Sequence, residues 1–576
     1  MKLTIFVLYY NIPMNDLLLK ILLLSIYPII LVFSFCLFYK KNKQIILSNY
    51  KYLIINTIVI SIIMIVSIVV FFHFEDTIYS YDYSGHWIRA LKIKQLFNTA
   101  PNKILPTTYN SMNIDDYSYL PALFELPLFL FKNSYRWFVI CNFVLFLLPT
   151  ILLLEIYYYR FIDKYKFFPI ILFIIFYPLY LPLFYGKVDC IGVFFILMSY
   201  SLIIIPDFDS INILDNLSIN IFAFVSIFSR RWYLYSIMCL YISYLIKWIL
   251  YKSKKRNDIF KLLSSGIFAL LIIVLFFKTF VLNAANNNFS EAYSFYDKKN
   301  KIFSFINYLS PIICVISVFG IYELFKSNRH LLFISLFSIA LPCFMIWKIQ
   351  SFEYHHYYIF ILNIIILFIY GLKLLLEYSK PLLFVCLLIA IIQPIAIFTF
   401  PNNTLPIFTN IRKYPEVLEN KTKLIEISEY LRSIEPDNNT SAFLSAGTYG
   451  VITDDLLRNA LLPNLNSPNI DSSVFDIRDG FPRDFQFIKY IVTVTPMVYT
   501  DQEYQHMFDI IDNAIKNDSI VSSFYSPIYS ADLDEIHSVT IYERIKELTP
   551  AVKRYFYNEM LQYYPDKAEY FKYILN

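Results

Sequence analysis

About a dozen apolar runs, most of them close to the roughly 20 residues that a helix needs to cross a bilayer, narrow what this chain can fold into more than any other feature. They fall near 17–39, 52–74, 137–156, 168–184, 190–205, 216–229, 232–250, 262–282, 304–325, 331–348, 357–377 and 381–400. Hydrophobic residues make up 58% of the 576, against about 45–50% in soluble domains. The solvent for this part of the chain is therefore lipid. The spacing predicts an α-helical polytopic membrane protein of about 11–13 helices over 1–400, followed by a separate domain over 401–576.

Basic residues predict the orientation, because Lys and Arg in short loops stay on the cytoplasmic side. Lys40, Lys41 and Lys43, then Arg160, Lys164 and Lys166, then Lys252, Lys254, Lys255 and Arg256, then Lys326 and Arg329 all fall on one side of the count. The other side receives the first loop 75–118, the Lys187–Asp189 turn, Arg230 and Arg231, 283–303, 349–356 and everything after 400. The apolar stretch Tyr119–Phe131 is short and holds Pro121, Glu125 and Pro127; charge parity works best if it lies at the outer interface without crossing. Met1–Asp16 carries no A-x-A-like cleavage site and does not read as a signal peptide.

After 400 the pattern changes to short β-rich runs (Tyr490–Val494, Ile520–Tyr525, Ser538–Tyr542) alternating with helical stretches (Val417–Arg432, Gln502–Lys516, Pro550–Tyr563). This is an extracytoplasmic α/β domain on the charge count. Several function classes find no support. Only 9 glycines occur, with neither a GxxxxGK[ST] nor a GxGxxG pattern, so a built-in nucleotide-binding domain is not expected. The seven cysteines, Cys36, Cys141, Cys190, Cys239, Cys314, Cys343 and Cys386, lie in or beside apolar segments and show no disulfide or zinc spacing. The net charge of +5 sits largely on short loops and reports topology, not a nucleic-acid partner. The 56 Phe and 50 Tyr accompany an abundance of Ile, Asn and Lys and read as compositional bias.

The most informative segment opens the first long loop: FEDTIYSYDYSGHWIRALKIKQLF, from Phe74 onward, follows directly on the second span. Glu75, Asp76, Asp82 and His86 are thereby placed at the membrane surface. If the run from Tyr81 is helical, Asp82 and His86 stand at i and i+4. A carboxylate near an imidazole can act as a general base on a hydroxyl, or hold a metal or phosphate. A solvated acidic cluster starting a helix is the alternative.

The D-x-x-x-H-W-x-x-A pattern of Asp82–Ala90, with Tyr117, Tyr119, Leu120 and Pro121 downstream, resembles the C-type (GT-C) polytopic glycosyltransferases. That superfamily includes protein O-mannosyltransferases and the aminoarabinose transferases of lipid A. The resemblance implies a bacterial plasma-membrane enzyme that moves a sugar from a polyprenyl-phosphate donor to an extracytoplasmic lipid, glycan or protein. It implies Asp82 as general base, with Asp76 the second candidate. Nucleotide sugars are confined to the cytoplasm, so an outer-face transferase needs a lipid-carried donor. The departing phosphate would need cations near the outer interface.

Three clusters offer them. Arg230 and Arg231 in FSRRWYLY interrupt an apolar stretch, where charges count as functional by default, although both could snorkel to headgroups. Lys187 in YGKVDC is either a phosphate ligand or one half of a turn-closing ion pair with Asp189. His355, His356 and Tyr357 lie in KIQSFEYHHYY, as phosphate or sugar contacts or as an interfacial aromatic belt. Adjacent histidines on a helix diverge, so one metal site built from both is not expected. No cofactor is certain, and a divalent cation stays open. A transporter or flippase, or a polymerase of lipid-linked saccharides, is the competing class. It would place ionisable residues midway along its helices, whereas Lys20 and Lys247, the clearest, lie near helix ends.

Overall fold

The computed structural model describes residues 16–115, 117–162, 164–203, 213–250, 256–286, 308–349, 354–399, 413–434, 442–445, 451–471, 485–498 and 505–575. It divides into two compact units. The first comprises Met1–His73 with Gly85–Pro415, and the second Phe74–Ser84 with Glu416–Asn576. The described parts of the predicted loops 283–303 and 349–356 are incomplete, and Met1–Asn15, Lys252, Lys254 and Lys255 lie outside the described residues.

The first unit is helical. Among the described residues five helices are long and apolar enough to cross a membrane: Asp16–Phe74, Tyr135–Phe161, Arg329–Lys348, Ile361–Tyr378 and Lys380–Thr399. Shorter apolar helices include Cys190–Leu202, Leu214–Ser229, Tyr233–Ile246 and Gly266–Phe276. Two expectations are corrected. The runs 17–39 and 52–74 lie on two helices within Asp16–Phe74 that meet at a kink at Asn42 (φ −120, ψ 18), so the connection between them is shorter than the expected loop. Lys41, expected in that loop, sits on the helix and pairs with Asp215 at 2.9 Å. The run 168–184 is not one helix either. It breaks into Phe168–Ile175, a 3-10 turn Tyr177–Leu179 and Leu181–Phe184, because Pro178 and Pro182 lack the N–H that a continuing helix requires.

Proline also shapes Tyr135–Phe161, where a π-helical stretch Phe143–Leu147 precedes Pro149. Residue 149 has no N–H to give to the carbonyl four residues back. That carbonyl, of Leu145, accepts instead from the Tyr27 hydroxyl at 2.6 Å. The helices Pro311–Ser327 and Ile361–Tyr378 pack backbone to backbone at Gly320 and Gly371. A Cβ on Gly320 would fall on the carbonyl oxygen of Leu367, and one on Gly371 on that of Ile316. Small residues that let helices approach are the usual source of packing energy in lipid, where no hydrophobic drive between helices exists. Gly371→Ala should force the pair apart, at a cost of about 1–3 kcal/mol, readable as a lower thermal midpoint in detergent. Lys373 and Glu323 close the same pair at 3.1 Å.

The second unit is an α/β layer around a five-stranded sheet of order β2-β1-β3-β5-β4. Its strands are β1 (Ala442–Leu444), β2 (Ile470–Asp471), β3 (Tyr490–Thr495), β4 (Tyr525–Asp532) and β5 (Ser538–Arg544). β1 pairs in parallel with β2 and β3, while β5 is antiparallel to both β3 and β4. The run YIVTVT of β3 is buried on both faces, as a central strand requires. Tyr490, Val492 and Val494 join Leu424, Ile427, Leu431 and Ile78 on one side; Ile491 joins Ile511, Val552 and Phe556 on the other. Pro550–Tyr563 forms the helix the sequence predicts. The expected strand Ile520–Tyr525 is instead a 3-10 turn, Ser522–Phe524, with β4 starting at Tyr525. Asp534 and His537 lie in the β4–β5 turn, where Asp534 accepts from the backbone N–H groups of Ile536 and His537 at 2.8 and 2.7 Å.

Candidate functional site

The first unit gathers a stack of alternating cations and rings. Its frame is local. The helix Ile213–Ser229 ends and Tyr233–Leu250 begins across a short corner, Arg230–Trp232. The segment after Ile104–Ile114 docks on that corner, with Ser118 Oγ donating to Phe228 O at 2.5 Å. Tyr117 is thereby laid on Arg230, whose guanidinium lies 4.4 Å from the Tyr117 ring and 4.5 Å from the Trp232 ring. Tyr117 continues the stack to His86, 5.2 Å between ring centres, and to the Arg89 guanidinium, also at 5.2 Å. At the other end Trp232 meets His355 at 5.3 Å and His356 at 4.6 Å. Contrary to the expected divergence, the two histidine rings lie 4.3 Å apart, on a 3-10 turn, Tyr354–Ile359.

Burial makes these charges expensive, and the site answers part of that cost itself. Arg230 is 3% exposed and Asp189 fully buried, and Arg230 Nε donates to Asp189 Oδ1 at 2.5 Å. Trp232 Nε1 donates to the same oxygen at 3.3 Å. Asp189 thus has Arg230 as a partner, a pairing that the sequence did not predict. Lys187 is buried too, set by the turn at Gly186 (φ 66), a conformation that glycine adopts without strain. Its charge acts on both His86 and His355.

Both imidazoles are held well below their ordinary range. For His86 the causes are burial, then Arg230, Arg89 and Lys187. For His355 they are burial, then His356, Lys187, Arg230 and His86. Each is neutral near pH 7 as a result. Among the described residues, the buried Nε2 of His86 and the buried Nε2 of His355 have no hydrogen-bond partner. Cations on aromatic faces beside two imidazole nitrogens that lack partners have the chemistry an anion requires. An arriving negative charge would raise both imidazole pKa values and draw protons onto them.

Of the residues expected from sequence, the structure brings together His86, Lys187, Arg230, His355 and His356. Arg231 goes elsewhere: it donates to the carbonyls of Asp115 and Ile114 at 2.6 and 3.4 Å, at the end of Ile104–Ile114, where a helix carries negative partial charge. Tyr357 packs edge to face on Tyr308 and Phe360, 5.5 Å in each case. Tyr117, Trp232 and Arg89 were not singled out as binding residues. The signal for Trp232 was present, since it directly follows the two arginines.

The two acids expected as bases belong to the second unit. Asp76 is surface-exposed, pairs with Lys421 at 2.5 Å, and its backbone bridges to the strand-like segment at Val417. Asp82 starts the helix Asp82–Thr99, so the predicted helix is present. Before it stands Tyr81, in left-handed backbone (φ 50), its N–H donating to the Asp455 carboxylate. Arg458 holds Asp455 and Asp454, each at 3.0 Å. Asn459 donates to Tyr79 O and Ser84 Oγ, both at 3.0 Å. Burial pushes the Asp455 carboxyl up; Arg458 and the Tyr81 N–H pull it down, and Asp454 and Asp82 push it further up. Among the described residues no group of three or more His, Cys, Asp or Glu side chains is placed to hold a metal ion. No protein family, no curated protein and no solved structure matches this chain, so any reading of the site rests on its own geometry.

Proposed function

We propose that this chain is a polytopic membrane glycosyltransferase of the GT-C kind, with its C-terminal unit outside the cytoplasm, taking a sugar from a polyprenyl-phosphate donor. The observation that carries the proposal is the buried stack His86–Tyr117–Arg230–Trp232–His355, with Lys187 beside it. In the reaction, a hydroxyl of the acceptor attacks the anomeric carbon and the bond from that carbon to the phosphate oxygen breaks. The lipid phosphate leaves with one more negative charge. Arg230 and Lys187 stabilise that charge, and the imidazoles of His86 and His355 donate to the phosphate oxygens. The base that takes the hydroxyl proton is, by the resemblance alone, Asp82. The contacts Lys41–Asp215 and Arg160–Asn42 support the orientation, since each joins segments that the span count puts on the cytoplasmic side.

The test supplies membranes holding the protein with polyprenyl-phosphate sugars and follows transfer. Lys187→Gln and His355→Asn are expected to lower transfer by about 10²–10³-fold, as loss of a single oxyanion donor does. Asp82→Asn should lower it by about 10²–10⁴-fold, the range for a general base. Transfer by Asp82→Asn at the wild-type rate removes Asp82 from the mechanism. A lipid-linked saccharide that crosses the bilayer with no transfer from any donor replaces the proposal with a transporter.

A further inference from the structure

Segment 74–84 is folded into the second unit, and its contacts there gather around Asp82. At its start Asp76 pairs through its backbone: its N–H donates to Glu416 O and its carbonyl accepts from the Leu418 N–H, both at 2.8 Å. Ile78 is then buried in the sheet core with Leu456 and Leu457. From Tyr79 onward the partner is one short helix, Asp454–Asn459. Asn459 Nδ2 donates to Tyr79 O and to Ser84 Oγ, so a single side chain spans both sides of Asp82. Asp455 accepts from the Tyr81 N–H, and the Tyr81 hydroxyl donates to Asp454 Oδ1 at 3.3 Å. That helix is itself braced. Thr453 Oγ1 accepts from the Leu456 N–H at 3.1 Å, Ser428 Oγ donates to Leu457 O at 2.8 Å, and Arg458 donates to Ile470 O of β2 at 2.7 Å.

Strain is placed at the same point. Tyr81 holds a left-handed backbone (φ 50) that glycine would adopt freely and a tyrosine keeps only where its surroundings over-determine it. Here they do, with Asp455 on its N–H and Asp454 on its hydroxyl. Backbone of this kind gathers at working sites, where a neighbouring group has to be presented in one way. The next residue is Asp82, whose charge is near enough to push the Asp455 carboxyl up. The turn cannot orient Asp82 unaided. The Tyr83 N–H donates to Ser80 O at 3.1 Å and the Ser84 N–H to Tyr81 O at 3.2 Å, which closes 80–84 on itself and leaves its tilt to whatever holds residues 79, 81 and 84 from outside.

We infer that Asp455 and Asn459 are positioning residues for Asp82, so that the C-terminal unit supplies part of the catalytic geometry. The inference rests on Asp82 as the base of the proposed transfer. Its test uses the full-length protein in membranes with a polyprenyl-phosphate sugar, rates being taken per folded molecule, and hydrogen exchange over 79–84, which reads the grip without any donor. Asp455→Ala should lose protection at the Tyr81 amide and lower kcat about 10²-fold, the loss that a misplacement of about 1 Å brings, with KM for the donor unchanged. Asp455→Asn, whose side-chain oxygen still accepts from the Tyr81 N–H, should keep both protection and transfer. In an Asp82→Asn background Asp455→Ala should remove nothing further, because a positioning residue acts through the group it positions. Unchanged exchange in Asp455→Ala, or an equal further loss of transfer in the Asp82→Asn background, overturns the inference and leaves the glycosyltransferase reading standing. Asp455→Asn as impaired as Asp455→Ala overturns positioning in favour of a need for the Asp455 charge. Asp82→Asn transferring at the wild-type rate removes the base itself, and the inference falls with it.

Discussion

The two units handle buried charge in opposite ways. In the second, the carboxylates of Asp454 and Asp455 are met by Arg458 three and four residues on, and by the Tyr81 backbone. The Tyr81 N–H stitches segment 74–84 to 451–459, while Arg458 braces the two carboxylates within 451–459. In the first, Arg230 is sandwiched by two aromatic faces and given one carboxylate, while Nε2 of His86 and of His355 stay without partners among the described residues. A cluster whose carboxylates are answered by an arginine and a backbone N–H holds a shape. A region that spends aromatic surface on cations and leaves imidazole nitrogens unanswered is suited to receive something.

The largest expected effect breaks this contrast at its buried ion pair. Arg230→Met leaves Asp189 charged and uncompensated and should cost about 3–5 kcal/mol, while Arg230→Met with Asp189→Leu should recover much of that. Thermal unfolding in detergent reads both, and a double variant no better than the single one would show that the pair is not the issue. Next comes Asp455→Ala, which strands the Tyr81 N–H and should cost about 1–3 kcal/mol. Loss of protection of that amide in hydrogen exchange would locate the effect at 74–84.

The histidines sharpen the contrast through pH. With folded pKa values below the ordinary value of about 6.5, His86 and His355 bind fewer protons in the native chain than in the unfolded one. Their contribution to stability is complete above that value and falls as the pH drops through it, by about 1.4 kcal/mol per pKa unit of depression for each. Replacing both with Asn should flatten the midpoint against pH between about 6.5 and 5, and an unchanged slope would mean that neither is depressed. The smallest effect is Lys421→Ala. Its pair with Asp76 is largely exposed and should contribute no more than about 1 kcal/mol.

Much of the site was legible in the sequence, because its residues are types that apolar surroundings penalise. Arg230, Lys187 and the His355–His356 pair stood out as polar groups flanking lipid-length runs, and the helix starting at Asp82 was expected from its acid and the run after it. What linked them was not legible. Tyr117 and Trp232 are two among 50 Tyr and 5 Trp, and nothing in their spacing says that one guanidinium lies between them. Glu155 was not singled out either: it sits almost at the end of a predicted run, yet it is buried on Asn56 and Tyr159.

In the second unit, β3 and β5 announced themselves by alternation and length. β1 and β2, of three and two residues, did not. The sequence by itself determined which stretches are apolar enough for lipid, where prolines break them, and which charged residues stand at their ends, since these are properties of the residues and their immediate neighbours. Only the tertiary structure decided that lysines expected in a loop flank a kink between two helices, that segment 74–84 folds with the C-terminal unit, and that the charges flanking separate runs meet in one stack. Those outcomes depend on long-range packing and on how each buried polar group finds a partner, which residue spacing does not encode.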